Sequence, residues 1–160
     1  MQNVTIICVG KLKEQYLKDA LSEYSKRLSA YCKFNILELS EAKLSQNPSQ
    51  KEIDACLENE ADVILSKIPE SAYVFALCIE GKGVTSEKFA EMIERSAVDG
   101  KSNLVFIIGS SFGLSNRVKN RADFRLSLSN MTFPHQLFRV MLTEQIYRGF
   151  SIINGSKYHK

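Results

Sequence analysis

The sequence predicts a single α/β domain in which a mostly parallel sheet is covered by helices on both faces. Short apolar runs of strand length alternate along the whole chain with segments whose apolar residues recur at helical spacing. This alternation is typical of parallel sheets, because each parallel crossover usually contains a helix. The chain has 160 residues, which fits one domain covering residues 1–160, and it contains no internal repeat or low-complexity segment.

The first half of the chain predicts two strands and two helices. Strands are expected at residues 4–9 and 34–39, and the segment between them has apolar residues at helical spacing. These apolar residues are Leu17, Ala20, Leu21, Tyr24 and Leu28. The polar stretch 40–48 is the only long loop, and it is followed by a capping-box pattern, Ser49 and Glu52, which predicts the start of the second helix.

The second half predicts three further strands and three helices. The strands are expected at residues 73–79, 104–109 and 124–129. The helices are expected from about Ser86 to Asp99, from near Ser115, and from Pro134, which suits an early helical position, to about Asn154. The five-residue tail after Gly155 is predicted to be disordered, because chain termini beyond a helix end usually are.

The charge of the chain is unevenly distributed. Residues 1–100 contain 12 Lys and Arg against 16 Asp and Glu, a balance of −4, whereas residues 101–160 contain 9 against 2, a balance of +7. The net charge of +3 is therefore a property of the C-terminal part, which would attract a polyanion such as RNA. A solvated basic face without any ligand explains the same asymmetry.

The cysteine spacing argues against a metal site. Cys8, Cys32, Cys56 and Cys78 form no CxxC pair and have no histidine nearby, so we expect buried free thiols in a reducing compartment. No apolar run approaches the ~18 residues that span a membrane, and the start MQNVTIICVGK lacks the pattern of a signal peptide. We therefore expect a cytoplasmic protein without membrane attachment.

Three loops at predicted strand ends are candidates for ligand binding: 80–83 (EGKG), 109–113 (GSSFG) and 129–134 (SNMTFP). Small residues let the backbone approach a ligand, and ligands of open α/β sheets bind at the carboxyl ends of the strands. The loop 109–113 does not match the dinucleotide fingerprint G-x-G-x-x-G and follows the fourth strand instead of the first. Each loop alone is also explained as a simple turn.

The sequence contains little that points to nucleophilic catalysis. It has two histidines, His135 and His159, and neither has a serine or cysteine nearby in a recognisable nucleophile motif. His135, at the start of a helix, is more typical of a surface or capping residue than of a general base.

Two long segments carry a family resemblance. The strings FIIGSSFGL and LSLSNMTFPHQLFRVMLTEQIYRGFSIINGSKYHK, together with the opening VGKLKEQYLKDALSEYSKRL, closely resemble the small SPOUT-class methyltransferases that methylate N3 of a pseudouridine in large-subunit ribosomal RNA. The resemblance covers essentially the whole chain. It implies a C-terminal trefoil knot within about 104–155, S-adenosylmethionine as cofactor, a homodimer, and ribosomal RNA or the assembled ribosome as partner.

The resemblance also implies particular site residues and no metal ion. The cofactor would contact Leu77, Gly109, Leu128, Ser129, Asn130, Met131, Thr132 and Phe133. The family often has paired glycines where this chain has Gly109-Ser110. N3 of the base must lose its proton before it attacks a methyl group, and the candidates for this step are His159, Tyr158 and Arg139, in that order.

The charged residues of the last helix remain open to two interpretations. Arg139, Glu144, Gln145 and Arg148 would meet a second subunit or RNA. For Glu144 and Arg148, salt bridging across a dimer is as good an explanation as RNA contact. Two other functions also remain: a related methyltransferase that acts on transfer RNA, and a non-catalytic dimer that binds the ribosome.

Overall fold

The computed structural model describes all 160 residues and contains five strands and five helices in strict alternation. The strands are β1 (Asn3–Val9), β2 (Lys33–Leu39), β3 (Tyr73–Gly83), β4 (Asn103–Ile108) and β5 (Phe124–Ser127). The helices are α1 (Gln15–Leu28), α2 (Gln50–Ser66), α3 (Ser86–Val98), α4 (Asn116–Arg121) and α5 (His135–Ile153). All strand pairs are parallel, in the order β2-β1-β4-β3-β5, so the predicted α/β class is confirmed.

The sheet is apolar on both faces because helices cover both. Alternate residues of β1, β3 and β4 enter two separate cores, as the period-2 direction of strand side chains requires. One core packs against α1, α3 and α5 and contains the stacked rings of Phe75 and Phe106, whose centroids are 4.7 Å apart. The other core packs against α2 and α4. No helix is both long enough and apolar enough to span a membrane.

Several predicted local features are confirmed. Ser49 Oγ accepts a hydrogen bond from Glu52 N at 3.2 Å, which caps α2 as the sequence pattern predicts. Ser115 caps α4 in the same way. The cysteines are free, and three of them are buried while Cys78 is partly buried.

Other boundaries differ from the prediction. The segment 80–83, expected to be a loop after β3, belongs to the strand, because β3 pairs with β5 again after an interruption between Leu77 and Lys82. Pro134 precedes α5 as its N-cap and has ψ 138°, so it is not the first helical residue. β5 ends at Ser127, two residues earlier than expected.

β5 lies unusually close to the interrupted part of β3. The strand is fixed at its start by Asp123, whose backbone N donates to Val74 O and whose carboxylate accepts from Val74 N, both at 2.8 Å. Further along, a Cβ atom on Gly81 would lie 2.7 Å from the carbonyl carbon of Leu126. Only a glycine allows β5 to pass here, because the atoms that a Cβ would meet belong to the backbone of Arg125 and Leu126, which cannot move aside as a flexible side chain can.

Replacing this glycine tests the close passage. We expect Gly81→Ala to lower the free energy of unfolding by about 2 kcal/mol or more, because the added methyl group cannot be accommodated without moving β5. Gly83→Ala is a matched control in the same strand, since its Cβ would meet nothing closer than 4.0 Å, and a change within about 0.5 kcal/mol is expected. Urea denaturation measures both, and equal effects would contradict the tight passage.

Candidate active site

Three backbone-rich segments meet at the carboxyl ends of β3, β4 and β5. They enclose a cleft of about 370 Å³. Its walls are formed by Leu77–Glu80, Ile108–Leu114, Lys119, Leu126–Ser129, Met131–Phe133, His135 and Phe138. The position agrees with the rule that open α/β sheets bind ligands beyond the carboxyl ends of their strands.

The interruption of β3 supplies one wall of the cleft. Leu77 and Lys82 both pair with Leu126, so the residues between them leave the ladder with β5. Backbone groups released from a ladder can hydrogen-bond a ligand, and they do so without a charged side chain. This wall therefore offers backbone recognition next to the apolar side chain of Leu77.

The second wall is the loop that follows β4, residues 109–113. A Cβ atom on Gly109 would lie 2.2 Å from Gly113 O, so the loop folds back on itself over a residue that must lack a side chain. Gly113 N donates to Ser110 O at 2.9 Å, which closes the turn, and Gly113 has a φ of +88°. The loop thus presents a compact backbone surface to the cleft.

The third wall is the turn between β5 and α5. Ser129 Oγ accepts from Met131 N at 3.0 Å, and Ser127 Oγ donates to Ser129 O at the same distance. These side chains hold the turn locally, as serine residues commonly do. The residues predicted to contact a cofactor all line the cleft except Asn130, which is exposed.

The rim of the cleft combines paired charges with exposed apolar side chains. Lys119 forms an ion pair with Glu80, and this hydrogen bond is the main cause that lowers the pKa of Glu80. Ile79, Phe112 and Met131 are 64%, 41% and 75% exposed. Apolar side chains gathered around a cleft mark a surface that a ligand or partner covers.

Arg139 is buried, although the sequence predicted that it meets a second subunit or RNA, or that it assists removal of the N3 proton. It is 3% exposed, and its guanidinium group donates to Glu38 Oε2 at 2.6 Å and to Gly10 O at 3.1 Å. Glu38 also accepts from Leu12 N at 2.8 Å. These bonds attach α5 to the ends of β1 and β2, so the position indicates that Arg139 orients the last helix.

The C-terminal tail is docked in this structure. His159 Nε2 lies 2.7 Å from Glu87 Oε1, and His159 Nδ1 lies 3.1 Å from a nitrogen of Arg148. Because Arg148 can only donate, Nδ1 accepts, and the ring takes the tautomer in which Nε2–H donates to Glu87. The imidazole is therefore held between α3 and α5.

Tyr158 strengthens the same docking. Its hydroxyl group donates to Glu144 Oε1 at 3.0 Å, and its ring lies under the guanidinium of Arg148, 4.8 Å from the centroid. Burial, followed by Tyr24 and Glu144, raises the pKa of Tyr158, so the phenol stays protonated at neutral pH. Glu144 and Arg148 are joined to each other at 2.6 Å. Within one chain, the charged groups of Glu144 and Arg148 therefore bind the tail.

No residue of the tail lines the cleft of its own protomer. A second cavity, of about 350 Å³, lies on the opposite side of β5 between α1, α3 and α5, and Glu144 forms part of its wall. We assign the candidate site to the first cleft, because the three interrupted backbone segments meet only there. The catalytic roles of His159, Tyr158 and Arg139 remain predictions.

Sequence reasoning missed several residues of the site. His135 and Phe138, on the first turn of α5, line the cleft. The helical spacing of these two residues places them on one face of α5, and this spacing was the signal that the sequence offered. Lys119 reaches the cleft from α4. No group of three or more His, Cys, Asp or Glu side chains is arranged to hold a metal ion.

Comparison with known proteins gives a consistent family. The family model described as "Predicted SPOUT methyltransferase" matches residues 2–159. The protein named ribosomal RNA large subunit methyltransferase H 1 from Clostridium perfringens (strain SM101) is 54% identical over 158 residues, which cover 99% of each chain. The protein named ribosomal RNA large subunit methyltransferase H from Clostridium botulinum (strain Okra) is 52% identical over the same coverage.

A solved structure supports the fold. A probable methylase family protein from Haemophilus influenzae Rd KW20 superimposes with a TM-score of 0.56 and covers 99% of this chain and 71% of that chain. The two sequences are 12% identical, so the likeness concerns the fold alone.

The bond between Glu38 and Arg139 should give the stability of the fold a pH dependence. Burial alone would raise the pKa of Glu38, but the hydrogen bonds from Leu12 N and Arg139 outweigh it, and the pKa is lowered. Stability from this group is therefore present above the ordinary glutamate value of 4.5 and is lost as the pH falls through the lower folded value. Glu38→Gln should cost about 2 kcal/mol near pH 7, less than a fully buried pair, because the Glu38 side chain is 38% exposed.

Urea denaturation of the wild type and Glu38→Gln from pH 7 down to about pH 3.5 measures the effect, and the difference should narrow below pH 4.5. Glu23→Gln removes an exposed ion pair with Arg27 and serves as the control, with a change within about 0.5 kcal/mol. A difference that stays constant with pH would show that the carboxylate charge of Glu38 is not the stabilising feature.

Proposed function

The chain belongs to the SPOUT methyltransferase family, and we propose that it transfers a methyl group from S-adenosylmethionine to N3 of a pseudouridine in large-subunit ribosomal RNA. The single observation that carries the proposal is the cleft whose backbone-rich walls coincide with the segments expected to bind the cofactor. The relatives named as ribosomal RNA large subunit methyltransferases support the substrate class.

The cleft suits S-adenosylmethionine in size and chemistry. Its volume of about 370 Å³ lies within the range of small-molecule sites, roughly 300–1,000 Å³. The compact backbone surface of the loop 109–113 can lie against a flat purine ring, and the unpaired backbone after Leu77 can hydrogen-bond its edge. When bound, the cofactor supplies an electrophilic methyl group on a sulfonium, which leaves as a neutral thioether.

The protein must position the base and remove its N3 proton. The protonated phenol of Tyr158 can stack on a base and donate a hydrogen bond, but it cannot accept the proton at neutral pH. His159 Nδ1 accepts a hydrogen bond from Arg148, and it can accept a proton once Arg148 releases it. Arg139, enclosed below the cleft, supports the reaction by fixing α5.

We further propose one domain, 1–160, with a knot within about 104–155. The passage of β5 against Gly81 and the return of α5 to pack on α1 and α3 support this threading. Because the tail of one protomer does not line its own cleft, we propose a symmetric homodimer in which each tail serves the partner's cleft. The net charge of +7 in residues 101–160 suits binding to RNA, and we expect this to occur on the ribosome in the cytoplasm.

Cofactor binding and substrate choice are tested together. S-adenosylmethionine should raise the stability of the folded protein, by about 2.7 kcal/mol at a hundred times its dissociation constant, whereas NADH should not. Labelled methyl groups should then pass to purified ribosomes or large subunits and not to transfer RNA. Gly109→Val should abolish both effects, because its side chain would enter the folded loop.

Two results would contradict the proposed function. Transfer of label to transfer RNA alone would favour the related methyltransferase class. Binding to ribosomes with no thermal shift and no transfer would favour a non-catalytic dimer.

Removal of the tail should separate binding from chemistry. Deletion of residues 157–160 should abolish methyl transfer while leaving cofactor affinity within about twofold, because the segments proposed to bind the cofactor all lie outside the tail. His159→Ala should lower turnover by on the order of 100-fold if the imidazole is the general base. Lys160→Ala, at an exposed position, is the matched control and should retain turnover within a few fold.

Mixing tests whether the tail acts across the dimer. Tail-deleted subunits and Gly109→Val subunits, each inactive alone, should regain activity as mixed dimers if a tail serves the partner's cleft. Full activity of the tail-deleted protein by itself would contradict both the catalytic role and the exchange between subunits.

A further inference from the structure

Glu60, on α2, is a buried carboxyl group that no part of the proposed reaction uses. It is 9% exposed, and neither of its oxygens has a hydrogen-bond partner. Ser110, in the loop 109–113, is 3% exposed, and its Oγ also lacks a partner. Unpaired buried polar groups are rare in folded proteins because their desolvation is not compensated, so two facing each other need an explanation.

The groups around Glu60 act on its pKa in both directions. Burial raises the pKa of Glu60, Ser110 counters part of this rise, and the carboxylate of Glu41 raises it again. Cys56, one turn earlier on α2, also faces it, and burial followed by Glu60 and Glu41 raises the pKa of that thiol. No cation is among the groups that act on Glu60. A carboxylate only accepts hydrogen bonds and a serine hydroxyl can donate one, which is why Ser110 acts to lower the pKa of Glu60.

Ser110 connects Glu60 to the cleft. Its carbonyl oxygen accepts the bond from Gly113 N that closes the loop, and the residue follows Gly109 directly. Ser110 lines the cleft itself. Glu60 and Ser110 lie close enough to influence each other but do not meet at hydrogen-bonding geometry. A small inward movement of the loop would therefore gain a bond that this structure lacks.

We propose that Glu60 is a positioning residue for the cofactor cleft, whose carboxylate accepts a hydrogen bond from Ser110 Oγ when the loop 109–113 closes on S-adenosylmethionine. The inference rests on the proposed function, because the cofactor supplies the reason for closure. A bond made only in the bound state adds to affinity, since a ligand shifts a conformation by its differential interaction with the two states. Glu60 acts through Ser110 and touches no reacting atom.

Calorimetric titration with S-adenosylmethionine between about pH 5.5 and pH 8.5 tests the role. Wild-type affinity should be highest at the alkaline end and should fall as the pH drops through the raised pKa of Glu60, because protonation removes the charge that strengthens the bond from Ser110. Glu60→Gln can still pair with Ser110 but carries no charge, so its affinity should not change with pH and should match that of the acid wild type. Glu60→Leu should bind S-adenosylmethionine about threefold to tenfold more weakly than Glu60→Gln, with no dependence on pH.

Three controls separate positioning from a structural role. Ser110→Ala should lose as much affinity as Glu60→Leu, and the double variant should lose no more, because both remove one bond. Glu60→Leu should melt no lower than the wild type without cofactor, since leucine replaces an unpaired buried carboxyl. Asp54→Asn, on the exposed face of the same helix, should leave affinity and its pH dependence unchanged.

The outcomes distinguish this inference from the function on which it rests. If the wild type binds S-adenosylmethionine and Glu60→Leu binds equally well, or if Glu60→Gln is as weak as Glu60→Leu, the positioning role is overturned and the proposed function stands. If the wild type does not bind the cofactor at any pH, both are overturned.

Discussion

The passage of β5 beside the interrupted end of β3 is the constraint on which the site depends. A single missing Cβ atom, at Gly81, lets the backbone of Leu126 lie against β3. This contact interrupts the β3 ladder, releases backbone groups into the cleft, and directs the chain after Ser127 into the turn that forms the third wall. The close passage of β5 beside β3 therefore shapes both the fold and the cleft.

Two buried polar groups lie behind the site on opposite faces of the sheet, and they differ in the hydrogen bonds that they make. Arg139 is nearly satisfied, because Glu38 and Gly10 accept its protons, and it fixes α5 permanently. Glu60 is unsatisfied and lies behind a loop that a ligand would contact. A satisfied network confers rigidity, whereas an unsatisfied pair next to a loop leaves a bond to be gained on closure. The first arrangement defines the helix, and the second leaves the loop adjustable.

The sequence predicts much of this fold because its signals are local. Apolar runs locate β1, β2 and β4 to within a residue or two, and Ser49 and Ser115 mark helix starts by a mechanism that needs no tertiary information. The extension of β3 through Gly83 was not predictable from Glu80-Gly81-Lys82-Gly83, since a glycine that admits another strand reads like a glycine that makes a turn.

The same contrast between local and long-range information applies to the candidate site. Family resemblance located the cofactor segments, and the structure brings them together except at Asn130. It also placed Arg139 among the reacting groups, where its burial and its bond to Glu38, 101 residues away in sequence, point to support of α5. Periodicity cannot find such a partner, because the pairing exists only after β2 and α5 have met.

In the proposed reaction, cofactor binding and removal of the N3 proton involve different parts of the chain, the cleft and the docked tail. The walls of the cleft contain few unpaired charges, which suits a cofactor whose sulfonium must stay reactive, while His159, the residue proposed to accept the N3 proton, lies on the tail. Tyr158 and His159 are held by Glu144, Arg148 and Glu87, so their positions are specified even without RNA. Because no tail residue lines the cleft of its own chain, the roles proposed for Tyr158 and His159 require a surface from a second chain. Pairing of two protomers would supply that surface, and it would make assembly a requirement for chemistry while cofactor binding stays a property of each chain.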